Sequence, residues 1–265
     1  MGVGGCASLK SKNDTESIDE LPVNTFSKRT LKEIIITDVS RMEHGHVCVF
    51  GIDSESNHIR PVIPIQGLSS ESLKDRNGNL VVKPLAIVEF DFIRPNPEIP
   101  HVEDFIINPC YKPVLIRELD DEEGIFFFKH IVDRDIKSIF GTDIVENRFT
   151  QKNTGKRSIG TILVHQVHEI IFKRTYSKQH FSIHFSDSSG KEYLRPITDC
   201  AFQKFYLNSI KKGINAKTLN QKLKLYFNQN TTYLRVGLGR YFNGGHWLIV
   251  TGLYTFPDYK SNLGL

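Results

Sequence analysis

Paired cysteines are missing from this 265-residue chain: Cys6, Cys48, Cys110 and Cys200 lie far apart, with no C-x-x-C among them. That spacing argues against a disulfide framework and for a reducing compartment, the cytoplasm. Long apolar runs are missing too. No stretch approaches the ~18 residues a bilayer-spanning helix needs. Charge of one sign is not in excess either, with 34 Lys and Arg against 30 Asp and Glu for a net +4. Such a balance permits a polyanionic partner without requiring one. Enzyme signatures are equally scarce. There is no phosphate-cradling G-x-x-x-x-G-K-[ST] and no nucleophile elbow, and "HQVHE" (165–169) is not the helical H-E-x-x-H. What the chain does have is apolar mass: 39% hydrophobic residues and 18 Phe, enough for a real core and too much for general disorder.

The first 27 residues are small and polar and read as part of a flexible tail, residues 1–30. Gly2 and Cys6 raise lipidation, but the myristoylation pattern wants Ser or Thr where Cys6 stands, and no apolar segment precedes Cys6. An unmodified leader is the simpler expectation. From residue 32 strand signals dominate. "KEIIITDV" and "HVCVFGI" flank a turn-like "SRMEHG", and Asn77-Gly78 marks another reversal. In "PLAIVEFDF" (84–92), Ala86, Val88, Phe90 and Phe92 share one face and Ile87, Glu89 and Asp91 the other, as in a half-buried antiparallel strand. Prolines in "RPNPEIPH" end that sheet.

"HIVDRDIKSIFG" (130–141) predicts a short helix. Polar "ENRFTQKNTGKRS" (146–158) predicts a linker. Beyond it come strands at 159–172, 180–187 and 191–199. Asp199 is placed to cap a helix ending at Gly213, and Asn215 a second helix to about Phe227. Two long apolar strands around Asn243-Gly244-Gly245 predict a closing hairpin.

An aliphatic-Arg-Pro core occurs twice, in "NHIRPVIP" (57–64) and "EYLRPITD" (192–199), each after an Asp/Ser-rich turn. Its return about half the chain later predicts duplication. The expected fold is mainly β with minor α: two tandem antiparallel barrels of OB type with a partly helical connector. The first unit with its connector spans 31–145, the linker 146–158, and the second unit, with inserted helices, 159–265.

The order "IIITDVSRM", "VCVFGID", "IRPVIP", "PLAIVEFDF", then "SIGTI", "FSDSSGKEYLRPITD", "YLRVGLGR" and "HWLIVTGLYTFPDY" resembles the dual OB-containing domain family of prokaryotic proteins over residues 31–260. The resemblance implies two OB units and, from that architecture, nucleic-acid binding. It implies no particular chemistry.

OB barrels hold single strands by stacking bases on aromatic rings while basic side chains follow the phosphates. In "YLRVGLGRY" (233–241), Leu234, Val236 and Leu238 point one way and Tyr233, Arg235, Gly237, Gly239 and Tyr241 the other. Tyr233, Arg235 and Tyr241, with Arg240, are therefore candidates for nucleic-acid contact. Arg60 and Arg195, held extended by the following proline, are candidate phosphate forks; the alternative is that each pairs with a local acid such as Asp53 or Asp187. Trp247, Tyr254 and Phe256 read as core. Lys152, Lys156 and Arg157, with Lys211, Lys212, Lys217, Lys222 and Lys224, form a basic stretch that usually means a solvated face.

Metal sites are not evident. His165 and His168 fall on opposite faces, His180 and His184 lie ~13 Å apart, and His44 and His46 lack a third partner. No metal site and no cofactor is expected. "PHVED" puts His101, Glu103 and Asp104 together, where acid–base work would be possible, although a loop cap or salt-bridge cluster explains them as well. The sequence therefore predicts a non-enzymatic module binding single-stranded DNA or RNA. Its alternatives are a protein-interaction or small-ligand and nucleotide-sensing module, and a hydrolase centred on His101, Glu103 and Asp104.

Overall fold

The computed structural model describes residues 30–176 and 178–263; the leader and the lipidation question at Gly2 and Cys6 lie outside them. Strands β1 (Thr30–Arg41), β2 (Val47–Ile52), β3 (His58–Val62), β4 (Ala86–Pro95), β5 (Asp104–Ile107) and β6 (Val114–Glu118) form the first sheet. Its order is β1-β2-β3-β5-β4-β6, and a further β1–β4 pairing closes the first five into a barrel. Every contact in the ring is antiparallel except β3 with β5, which is parallel. The early residues of the long β1 pair with β4 and the later ones with β2, so a single strand bends to serve both halves. At Thr37 a bulge interrupts its pairing with β2. Ile34 and Ile36 enter the core, and after the extra residue it is Val39, not Asp38, that continues there. Thr37 and Asp38 thus leave the core face while remaining buried.

The helix predicted at 130–141 is found only over residues 136–140, and a further helix that the sequence reading did not place precedes it. Helix α1 (Asp121–Ile131) runs into the two-residue β7 (Val132–Asp133), and α2 (Ile136–Phe140) follows. Asp120 and Asp135 cap the two helices through capping boxes with Glu123 and Ser138. Between α2 and the next barrel, β8 (Phe149–Thr150) pairs with the C-terminal hairpin.

The second unit repeats the topology. Strands β9 (Ile159–Leu163) and β10 (Gln166–Arg174) together do the work of β1. They are followed by β11 (Gln179–Ser186), β12 (Glu192–Pro196), α3 (Cys200–Lys211), α4 (Ala216–Gln229), β13 (Thr231–Leu238) and β14 (His246–Phe256), with α5 (Tyr259–Asn262) last. Here β9 pairs with β13 while β10 pairs with β11, so the bent first strand of the first barrel has become two. A parallel bridge from Ile197 to Val250 joins the end of β12 to β14, where the first barrel joins β3 to β5. Arg60 and Arg195 therefore occupy the third strand of their respective barrels. The predicted caps are found: the Asp199 carboxylate accepts from Ala201 and Phe202 at the start of α3, and Asn215 from Lys217 at the start of α4. A half-barrel of β10-β11-β12 and the sheet β7-β9-β13-β14-β8 enclose the larger core, to which α2 contributes Ile136, Ile139 and Phe140.

Among the described residues, no helix is long and apolar enough to cross a membrane.

Candidate nucleic-acid interface

The parity of β13 is as its sequence predicts: Leu234 and Val236 point into the second core. What covers the other face is the first barrel. Arg235, the largest fully buried side chain of the described residues, is 0% exposed. Its Nε donates to Asp38 Oδ2 at 2.8 Å and its Nη1 to Thr161 Oγ1 at 2.9 Å. The second Asp38 oxygen accepts from Thr251 at 2.5 Å, Thr251 being the extra residue of a bulge in β14. Tyr254 donates to the Thr37 carbonyl. Tyr233, also buried, stacks on Phe128 of α1 with ring centres 5.4 Å apart. Tyr233 and Arg235 are thus withdrawn from the ligand surface expected of them and form the joint between barrels.

Arg60 is buried as well. It pairs with Asp104, its neighbour across the parallel β3–β5 ladder, and lies over the Phe50 ring at 5.2 Å. Its acidic partner is Asp104 and not Asp53, which instead binds Lys32. From the hairpin between β13 and β14, Arg240 reaches back to the first barrel, with Nη2 at 2.5 Å from Asp104 and Nη1 at 3.2 Å from Glu98.

His101, Glu103 and Asp104 all point into this seam and are all buried. Glu103 accepts from the Ser158 amide at 2.7 Å and hydroxyl at 2.8 Å, and burial raises its pKa. Neither His101 ring nitrogen finds a hydrogen bond of good geometry. Burial, with the cations Arg60 and Arg240 nearby, pushes its pKa down to about 2, so it is a neutral imidazole packed edge-on to His246 at 5.4 Å. A carboxylate committed to two arginines and another held by Ser158 are not free for acid–base work. The three residues tie the barrels together, which removes the basis for a hydrolase built on them.

The surface that remains is assembled around the hairpin turn. Asn243 and Gly244 both have positive φ, 46° and 91°, the pattern of a two-residue I′ reversal. It presents Tyr241 and Phe242, 47% and 73% exposed. Gly245 has no room for a Cβ, which would lie 2.3 Å from the Phe149 ring. This close approach lets β8 lie along β14, with Phe149 opposite Trp247 and their rings 5.0 Å apart. Trp247 donates from Nε1 to the Phe242 carbonyl at 2.7 Å. Lys152 Nζ stands 5.1 Å over the Tyr241 ring. At the other end Arg195 Nη1 donates to the Arg148 carbonyl at 3.4 Å, and burial followed by the nearby Arg148 charge lowers the Arg195 pKa. Arg195, Arg148, Phe149, Trp247, Phe242, Tyr241 and Lys152 therefore form one contiguous basic and aromatic strip. Of the predicted contact residues, Tyr241 and Arg195 lie on it and Arg240 beside it. Phe242, Phe149 and Arg148 were not singled out, although the Asn-Gly turn already placed Phe242 at a hairpin tip.

Two solved structures resemble the chain in outline at low similarity. One is a replication protein A heterotrimer bound to ssDNA, with TM-score 0.35, 9% identity, 88% of this chain covered and 52% of that one. The chain thus spans about half the length of that relative. The other is the Ifi202 HINa domain in complex with 20 bp dsDNA, with TM-score 0.32, 10% identity, and 86% and 97% of the two chains covered. No curated protein matches. Residues 32–253 match the family described as "Dual OB-containing domain", and with both barrels in OB strand order, the chain belongs to that family.

Proposed function

We propose that the chain binds single-stranded nucleic acid along the strip from Arg195 to Lys152. The carrying observation is the interleaving of three basic side chains with exposed and half-buried rings at the β13–β14 loop, one of the two loops that OB folds use for oligonucleotides. Tyr241 and Phe242 supply π-faces that accept any base, Arg148, Lys152 and Arg195 follow the phosphates, and Phe149 and Trp247 support the tip. The seam keeps the first barrel behind this surface, with Arg235 and Arg240 as its fasteners. In this reading residues 31–145 form the supporting unit, 159–265 the binding unit, and the linker 146–158 supplies part of the binding edge.

Fluorescence anisotropy with short labelled DNA and RNA strands tests the proposal. Binding is expected at low salt and to weaken as salt rises, with a log–log slope of about −0.7 per phosphate contact. Tyr241→Ala and Phe242→Ala should each cost about 1–3 kcal/mol. Lys152→Ala should flatten the salt slope by about one contact. No binding at ~50 mM salt, or full affinity in the Tyr241/Phe242 double variant, rejects the proposal.

A further inference from the structure

The second barrel carries, apart from that strip, a cluster that no single strand reveals. In β10 the register slips between Val167 and Glu169, making His168 the extra residue of a bulge. Val167 and Ile170 both stay in the core, so His168 is turned to the outer face, as bulged residues commonly are. On the neighbouring β11, His184 projects from the same face, opposite Glu169 and Leu194. On β12, Glu192 lies two residues from Leu194 and so on the same face. The two imidazole rings have centres 4.7 Å apart. His184 Nε2 is 2.9 Å from Glu192 Oε2, and His168 Nε2 is 3.9 Å from Oε1. His168 Nε2 is buried and makes no hydrogen bond.

We propose that His168, His184 and Glu192 bind one divalent transition-metal cation, zinc being the best fit. Two imidazoles and a carboxylate are a ligand set zinc favours, and a tetrahedral ion with donors at about 2.0–2.1 Å spaces them about 3.3–3.4 Å apart. The observed separations straddle that value, and one donor atom from each of the three residues lies within 4.8 Å of the other two. Small side-chain rotations bring the three onto an ion without moving the sheet. The orphaned His168 nitrogen gains a partner, and the His184–Glu192 hydrogen bond is exchanged for two metal bonds. Three protein donors leave a fourth position, and Glu192 is on the solvent side of the cluster, its side chain 59% exposed. This is the pattern of an open site that takes water or an anionic oxygen, not of a closed structural one.

Calorimetric titration of the untagged full-length chain with zinc chloride, alongside visible spectroscopy with Co2+, tests the site. One ion per chain is expected, with the intense d–d bands of a low-coordinate Co2+ that zinc displaces. His168→Ala, His184→Ala and Glu192→Gln should each weaken binding at least about 10–100-fold, the range seen even for outer-shell partners. Glu192→Gln, at an exposed position, keeps the test valid if a histidine variant folds poorly. His180→Ala, on the same face of β11 but about 13 Å along the strand, should bind like the parent chain. No saturable binding at one ion per chain, or parental affinity in the Glu192→Gln and His168/His184 variants, overturns the site.

Discussion

Replacing Arg235 by alanine is expected to destabilise the folded chain by about 3–5 kcal/mol, the loss typical when one partner of a buried ion pair is removed. Asp38 would stay in a site where its side chain has no exposure, supported only by the hydroxyls of Thr37 and Thr251. An unpaired carboxylate there must either carry its charge without a counterion or take up a proton, and both are costly. Urea unfolding at pH 7 measures the effect. Asp38→Ala should be comparably damaging, because it strands the guanidinium. The double variant Arg235→Met, Asp38→Leu should recover most of either loss, since replacing a buried pair by apolar side chains of similar size is often neutral or better. A loss for Arg235→Ala within about 0.5 kcal/mol, the range of ordinary surface substitutions, would mean that the barrels are not held through this pair. The same experiment separates the present account of Arg235 from a ligand-contact role, because a surface arginine would change affinity and leave stability alone.

Arg235 also marks where sequence reading stops. Side-chain alternation correctly divides β13 into Leu234 and Val236 on one side and Tyr233, Arg235 and Gly237 on the other. Alternation says nothing about what meets the second side. Protein fills that side: a Cβ on Gly237 would stand 3.0 Å from the Ile159 side chain, and one on Gly252, opposite Arg235 in the ladder, 3.2 Å from Asp38 Oδ1. The hairpin at Asn243-Gly244, the two third-strand Arg-Pro segments and the caps at Asp199 and Asn215 were legible because each depends on residues adjacent in the chain. Helix α1 was not, because its acidic first turn and the Phe126-Phe127-Phe128 run obscure its period, while Phe128 is fixed by packing on Tyr233 and Tyr254. The His168–His184–Glu192 cluster was hidden for a related reason. It depends on one inserted residue and on the register of three strands, and a slip of one residue exchanges the faces. The basic and aromatic strip joins residues from the linker, β12 and the last hairpin, so only the folded second unit assembles it.

Acid should weaken the folded chain well above the range where carboxylates titrate. His58, half-buried beside Arg235 and Arg157, has its pKa pushed down to about 3 by desolvation and those two charges, and His101 to about 2. In the unfolded chain both imidazoles take a proton near pH 6.5, which the folded chain refuses. Each therefore removes about 1.4 kcal/mol of stability per pH unit as pH falls below ~6.5. Asp199 acts in the opposite sense. Burial, against three backbone N–H donors, raises its carboxyl to about 6, so between ~6 and ~3.9 the folded chain gains a proton that the unfolded chain does not hold. Glu103, also raised by burial, adds to that offset. Two histidines against this counterweight leave a net loss of about 1–3 kcal/mol between pH 7 and 5. Urea midpoints at pH 7, 6 and 5 measure it, and His58→Gln or His101→Gln should each flatten the decline even where it lowers stability at pH 7. At pH 5 the ring proton resonances of both histidines should remain at their neutral positions while the exposed histidines shift. A chain as stable at pH 5 as at pH 7, or a protonated His101 in the folded state, would show that the seam is open to water and that its charges are not the buried fasteners described here.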